Sequence, residues 1–256
     1  MIRLQVRARM AYRVAFLLNR LAQIVAYASA FSAIWVLLHK FSELAGWRWP
    51  ELALLLSFQL LAYGIGASLS FTQMRDLEDL IRSGKFDTLL IKPMSPWAYL
   101  VFSGLNLGYI GHIVLAVGML VWSLGAVDIH WTLWRAAYAL ASLASSAALM
   151  CSMLTMIGAC AFLVARSRYL YGIFFGFWEL VRYPLNLFPA PLQWLLSSVI
   201  PMAFLNYVPV SYLLAKDTVI VGQWGGLLAP LAGPVWVGLA MWQWRFCLRR
   251  YQGAGG

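Results

Sequence analysis

Long stretches without a single charged residue dominate this sequence of 256 residues. A helix needs about 20 apolar residues to cross a hydrocarbon core about 30 Å thick, so each such stretch predicts a transmembrane helix. Only 11% of the residues are charged and 62% are apolar, which leaves too little polar surface for a water-soluble domain of this length. We therefore expect an all-α, polytopic membrane protein whose single transmembrane domain covers residues 1–256.

Six transmembrane spans are predicted. Five of them are uncharged, and the fifth in chain order contains Glu179 and Arg182. The predicted spans cover residues 21–39, 52–74, 99–127, 136–164, 169–187 and 225–244.

The stretch 189–215 carries no charge either, but four prolines interrupt it. With six spans and both termini in the cytoplasm, 14 of the 19 basic residues lie inside. A seventh crossing would move the arginines near residue 250 outside and weaken that asymmetry, so the positive-inside rule favours six spans. We expect 189–215 to form extracellular re-entrant helices between spans five and six, shielded by other helices because irregular backbone cannot face lipid.

The first 20 residues contain five arginines and no acidic residue. Apolar residues at near-helical spacing predict an interfacial helix over residues 1–20, lying on the cytoplasmic leaflet. Arg3 and Arg7 interrupt its apolar face, so an unstructured basic leader is the alternative. Together with the spans, this leader predicts a multi-pass membrane protein with both the N and C termini in the cytoplasm.

The sequence lacks the motifs of nucleotide binding and of catalysis. Gly84 and Lys85 are adjacent, but no matching glycine precedes them and Phe86 follows, so the chain has no P-loop. It also lacks H-E-x-x-H and G-x-S-x-G, and its three cysteines have no metal-ligand spacing. The basic residues lie at the ends of apolar runs, which argues against a nucleic-acid partner. We expect no catalytic residue, no metal site and no cofactor in this chain.

One long polar stretch, residues 75–95, lies between the second and third predicted spans. As a helix, residues 76–82 would place Leu77, Leu80 and Ile81 on one face and charges on the rest. Such a helix could dock into a partner's groove, with the leucines buried and the charges setting the register. An ordinary solvated loop is the alternative. The candidate docking residues are Arg75, Asp76, Leu77, Glu78, Asp79, Leu80 and Arg82.

Polar side chains within the predicted spans are candidates for a substrate pathway or gate. Those on the second and third spans either line a cavity for an amphiphile or bond across a helix pair. Glu179 and Arg182 are i, i+3 neighbours that can pair, and they form either a gate or a structural ion pair. The full set is Gln59, Tyr63, Asn106, Tyr109, His112, Glu179 and Arg182.

Two sequence elements resemble parts of one transporter family. The first element contains Gly84, Phe86, Asp87, Leu89 and Pro93, and it is similar to the element that follows the second span in permeases of type 2 ABC transporters. The second element resembles the extracellular stretch of the branch described as ABC type 2 family transporter proteins. It comprises residues 183–184, 188–189, 192, 200–204 and 207–209.

The resemblance implies a six-helix permease that works as a dimer with a second permease, related or identical. Its energy would come from a separate cytoplasmic ABC ATPase, present in two copies, which would hold the ATP and Mg²⁺. Residues 76–82 would then be the coupling helix that grips the ATPase, and residues 1–20 the elbow helix. We expect an exporter of an amphiphilic or lipid-like small molecule, in contact with membrane lipids. The alternatives are a non-transporting scaffold or sensor for an ATPase, and an integral-membrane enzyme acting on lipid.

Overall fold

The computed structural model describes residues 43–104, 106–164, 166–216 and 222–252, together with the single positions 18, 22 and 25. The predicted interfacial helix, 1–20, and the predicted first span, 21–39, lie outside the described residues apart from those single positions. The chain forms two compact units, Met1–Trp49 and Pro50–Gly256. In the described part of the first unit, Leu44 and Trp47 exchange two backbone hydrogen bonds of 3.0 Å across a tight turn.

Two helices of the second unit are long and apolar enough to cross a membrane, among the residues that the structure describes. Helix α1 (Trp49–Arg75) runs on through a turn into α2 (Leu77–Arg82). The second membrane-length helix is α6 (Leu133–Ala159), which ends in the 3₁₀ turn Cys160–Phe162. The two helices correspond to the uncharged stretches predicted as the second and fourth spans.

The remaining helices of this unit are shorter or interrupted. They are α3 (Asp87–Leu90), α4 (Pro96–Ser103), α5 (Ile110–Ala126), α7 (Arg168–Leu180), α8 (Ala190–Trp194), α9 (Tyr207–Leu213), α10 (Gly222–Gly226) and α11 (Ala229–Leu248). Among the described residues every regular element is helical.

The stretch predicted as a continuous third span, 99–127, is divided into two helices. Helix α4 ends at Ser103, and α5 begins only at Ile110. The amide N–H of Asn106 donates to the Ser68 carbonyl at 3.0 Å, and its side chain donates to Thr72 Oγ1 at 2.9 Å. Because Asn106 gives its backbone donor to α1 instead of to its own helix, the helical ladder is interrupted there.

Helix α7 is also shorter than the predicted span 169–187. It has 13 residues and ends at Leu180, which makes it about 20 Å long at 1.5 Å per residue. Pro184 lacks the N–H that would bond the Leu180 carbonyl, and it disfavours the helical conformation at Tyr183. A single 3₁₀ turn, Leu185–Leu187, follows.

Helices α6 and α11 pack closely around one serine. The Ser145 hydroxyl donates to the Ala229 carbonyl at 2.7 Å and accepts from the Gly233 amide at 2.7 Å. Ala229 and Gly233 are i, i+4 partners within α11, so the hydroxyl stands in for a helical hydrogen bond next to Pro234. A side chain on Gly233 would overlap the backbone of Ser145, which explains the glycine at this crossing.

The proline-rich segment 189–215 forms short helices that pack against the bundle. It contains α8, a π turn over Leu195–Val199, a 3₁₀ turn over Met202–Leu205, and α9. The Asn206 side chain donates to the Val181 carbonyl at 2.8 Å, just after the end of α7. Lys216 Nζ, just beyond α9, lies 2.7 Å from Glu51 Oε2 in the first turn of α1. The interpretation of segment 189–215 as extracellular re-entrant helices stays a prediction.

Candidate functional site

The polar segment 75–95 folds back onto the helix ends instead of extending away from them. Leu77 is fully buried in an apolar cluster that includes Met74 at the end of α1 and Trp244 on α11. Leu80 and Ile81 pack partly against the same cluster. The prediction that Leu77 fills a partner's groove is therefore wrong, because Leu77 is covered by the chain's own core, whereas Leu80 and Ile81 are only partly covered.

The family-like motif anchors this segment. Gly84 has φ +68°, a left-handed conformation that glycine adopts without strain, and it follows the end of α2. Phe86 is fully buried between the rings of Phe162 and Tyr251, at centroid distances of 5.0 and 5.1 Å. Oδ1 of Asp87 accepts a hydrogen bond of 2.8 Å from the Tyr251 hydroxyl.

The two other motif residues differ from each other in burial. Leu89 is buried in the same apolar cluster, whereas Pro93 is exposed at the end of the segment. Four of the five motif residues thus have a visible structural task, which is to form the turn and hold the segment against α6 and α11.

Glu78 joins α2 to the start of α7. Its carboxylate is nearly buried, and Oε1 lies 3.0 Å from the Arg82 guanidinium one turn later. Oε2 accepts from the Ser167 hydroxyl at 3.3 Å and from the backbone amide of Arg168, the first residue of α7, at 3.1 Å. A carboxylate at a helix N-terminus satisfies a donor that has no partner within the helix and interacts favourably with the helix dipole.

The side chain of Arg168 reinforces this junction from the outside. Its guanidinium forms an ion pair with Asp79 and lies 3.8 Å from Asp76 Oδ1. Its Nε donates to the Arg75 carbonyl at 3.3 Å, at the last residue of α1. Arg168 is not among the site residues that the sequence predicted. A serine just before an apolar helix and an arginine at its first position were the available signal, but nothing local indicates which carboxylate they meet.

The outward side of the polar segment combines charge with an apolar tip. Arg75, Arg82 and Lys85 are exposed there. Beyond them Leu90, Ile91 and Met94, which we call the apolar tip, expose 46%, 84% and 52% of their surface. None of the three belongs to the predicted docking residues, because the helical pattern of residues 76–82 placed the apolar contact at Leu77 and Leu80.

The candidate pathway residues of α1 and of residues 106–112 are occupied in contacts between helices. Gln59 is buried, and its Nε2 donates to the Trp178 carbonyl on α7 at 3.0 Å. The Tyr63 ring lies 5.6 Å from Tyr109, 5.3 Å from His112 and 5.1 Å from Trp178. Together with the bond from Asn106 to Thr72, these contacts favour the interpretation that the polar residues bond across a helix pair.

Glu179 and Arg182 form the ion pair that their spacing predicts. The two guanidinium nitrogens of Arg182 lie 2.8 and 2.9 Å from the two carboxylate oxygens of Glu179. Neither residue lines the two cavities described next. Their role as a gate stays a prediction.

Two apolar cavities lie between helices of the second unit. One, of about 270 Å³, is bounded by α6, α7, α11 and residues 199–201, and Phe174, Phe177 and Gln243 line it. The other, of about 440 Å³, lies between α1, α4, α6 and α11. Apart from Gln243, the first is lined almost wholly by apolar side chains, which suits hydrocarbon. We call the first the α6–α7 cavity.

Metal-ligating groups do not cluster in the described part of the chain, where no three His, Cys, Asp or Glu side chains converge. Cys151, Cys160 and Cys247 are free thiols.

These elements define a membrane-embedded helical protein with a polar segment anchored at one end of its long helices. A family model described as ABC-2 family transporter protein matches residues 24–255. The chain therefore belongs to the ABC-2 transporter family, which confirms the resemblance to type 2 ABC permeases. It is a transport permease subunit that associates with an ABC ATPase. Comparison with curated proteins and with solved structures found no match.

Proposed function

We propose that this chain is the membrane-spanning permease subunit of an ATP-driven exporter, and that its ATPase docks on the polar segment 75–95. The supporting observation is the two-sided character of that segment. Its inner side is fixed to the helix bundle through Leu77, Phe86 and Asp87, while its outer side exposes basic residues and the apolar tip. A segment of this kind can receive force from a partner and pass it to the helices.

The docking contact would be divided between charge and apolar burial. Exposed arginine and lysine side chains steer a partner and set its orientation, but contribute little affinity individually. Ile91 at the apolar tip is the side chain best placed to supply affinity, because it has nearly all of its surface to bury. Leu77 and Leu80 act behind this surface by holding α2 in place.

The proposed substrate class is an amphiphilic or lipid-like molecule. Support comes from the apolar lining of the two cavities, which would accept hydrocarbon.

In the proposed assembly two permeases, related or identical, form a dimer with two ATPase copies that hold ATP and Mg²⁺. The membrane is the bacterial inner membrane, and both termini lie in the cytoplasm.

Purification of the full chain from its native membrane tests the proposal. We expect an ABC ATPase to co-purify, and the complex in liposomes to hydrolyse ATP faster when a transported amphiphile is present. An associated ATPase that responds to no amphiphile would favour a scaffold or sensor. Lipid turnover without any ATPase would favour the membrane enzyme.

Topology offers a separate test. The test uses Lys85→Cys in a chain whose three native cysteines are replaced by alanine. The new cysteine should react with a membrane-impermeant maleimide only after the cells are permeabilised. Labelling of intact cells would place the segment outside, where no ATPase could reach it.

A further inference from the structure

We infer that the Glu78 carboxylate is a positioning residue that carries ATPase-driven movement of α2 into α7, and so into one wall of the α6–α7 cavity. This inference rests on the proposed function, because it requires that an ATPase moves the polar segment. It assigns the transmission to one joint, formed by Glu78 with Ser167 and the backbone amide of Arg168.

The joint is specific because both oxygens of Glu78 are engaged on different elements. Oε1 is held by Arg82 within α2, and Oε2 is held by Ser167 and Arg168 at the start of α7. Only 8% of Glu78 is exposed, so water competes weakly for these bonds. A carboxylate that holds two elements at once makes them move together.

The Arg168 side chain makes the joint resistant to rotation. It is paired with Asp79 on α2 and bonded to the carbonyl of Arg75 at the end of α1. The first residue of α7 is thus held from two sides, by Glu78 at its backbone and by α1 and α2 at its side chain. A displacement of α2 would pull on the N-terminal end of α7.

Helix α7 leads from this joint to the candidate substrate space. Leu170, Ile173, Phe174 and Phe177 lie on α7 and line the α6–α7 cavity. Further along, the Trp178 carbonyl accepts the hydrogen bond from Gln59 of α1. Because a helix transmits axial displacement with little internal change, movement at Arg168 alters the cavity wall directly.

The test uses the complex of full-length chain and ATPase in liposomes, with nitrobenzoxadiazole-labelled phosphatidylethanolamine as the transport probe. Glu78→Gln removes the charge, and Ser167→Ala removes one donor of the same joint while leaving the charge. We expect either change to lower probe transport per ATP hydrolysed by about fivefold or more. A factor of about five is the lower end of typical coupling between two sites. The amount of ATPase that co-purifies with each variant should equal the amount that co-purifies with the unsubstituted chain. Asp128→Asn, an exposed carboxylate after α5, is the matched control and should change neither quantity.

A second readout needs no transported probe. Spin labels at Leu140 on α6 and Ile173 on α7, both largely exposed, report the distance between the two helices. ATP with vanadate should shift that distance in the otherwise unsubstituted chain, and the shift should be lost in Glu78→Gln and in Ser167→Ala.

Two results would overturn the inference. One is an unchanged coupling ratio and an unchanged label shift in both joint variants. The other is a fall in ATPase recovery that matches the fall in transport, since Glu78 would then serve docking. If Glu78→Gln does not accumulate, Ser167→Ala decides by the same criteria. Failure of the proposed function is distinguishable, because the unsubstituted chain would then recover no ATPase, or would recover one that neither transports the probe nor responds to an amphiphile.

Discussion

The hydroxyl of Tyr251 donates a hydrogen bond of 2.8 Å to Oδ1 of Asp87, across 164 positions of the sequence. This bond ties the residues after α11 to α3 in the polar segment. The Tyr251 ring also packs edge-on against Phe86, at a centroid distance of 5.1 Å. Tyr251 therefore fixes the family-like motif by both a polar and an apolar contact.

Removal of the Tyr251 hydroxyl should loosen this anchor. Tyr251→Phe keeps the ring contact with Phe86 but leaves Asp87 without this donor, so we expect a loss of about 1 kcal/mol of unfolding free energy. The measurement is the thermal midpoint of the detergent-solubilised protein. Tyr183→Phe, a change at a partly exposed tyrosine, is the control and should leave the midpoint unaltered. Equal midpoints for both variants would show that the bond contributes nothing.

Gly84 should resist substitution because of its backbone conformation. At φ +68°, alanine would add about 1–2 kcal/mol of strain, so Gly84→Ala should lower the unfolding midpoint. Gly118→Ala is a control with the opposite expected sign, because Gly118 lies within α5 and a methyl group there meets no neighbouring atom. Alanine at a helical position stabilises by about 0.5–1 kcal/mol relative to glycine. The two variants shifting in the same direction would contradict the strain explanation.

Ser145 should be necessary for the crossing of α6 and α11. Ser145→Ala leaves the Gly233 amide and the Ala229 carbonyl without their shared partner, at an expected cost of about 1–3 kcal/mol. Chemical denaturation in detergent measures the loss. Ser198→Ala makes the same chemical change at an exposed serine that bonds only within its own turn, and it should be nearly neutral. A neutral Ser145→Ala would mean that α11 closes its own hydrogen bond when the hydroxyl is absent.

Ile91→Asp should separate docking from folding. Because Ile91 is 84% exposed, the change should leave the unfolding midpoint unaltered. Recovery of the ATPase should fall by about tenfold or more if the apolar tip is buried against it. Leu133→Asp, at an equally exposed leucine at the start of α6, is the matched control. Normal ATPase recovery with Ile91→Asp would remove the apolar tip from the docking surface.

Leu77→Asp should give the opposite pattern. Leu77 is fully buried, so an aspartate there would place a charge in the apolar cluster and lower the stability of the chain itself. Loss of ATPase recovery in this variant would follow from misfolding. A stable Leu77→Asp protein that lacked only its ATPase would contradict the placement of Leu77 in the core.

The local sequence was sufficient to predict the helices in stretches where composition alone dictates the structure. The uncharged stretches 52–74 and 136–164 had to become long helices, because backbone groups in an apolar environment need partners within their own segment. Membership in the family was likewise visible in Gly84 and its neighbours. The pairing of Glu179 with Arg182 followed from i, i+3 spacing.

Tertiary structure alone decided which surfaces are free and which are covered. The amphipathic pattern of α2 predicted an apolar face, but nothing in it indicates that Leu77 is buried in one cluster with Phe86, Met74 and Trp244. Glu78 meets Ser167 at a separation of 89 positions, and Asn106 breaks the predicted third span by bonding to Ser68 and Thr72. Spacing within one segment sets which side chains share a face, whereas the partner of that face is chosen by packing between distant segments.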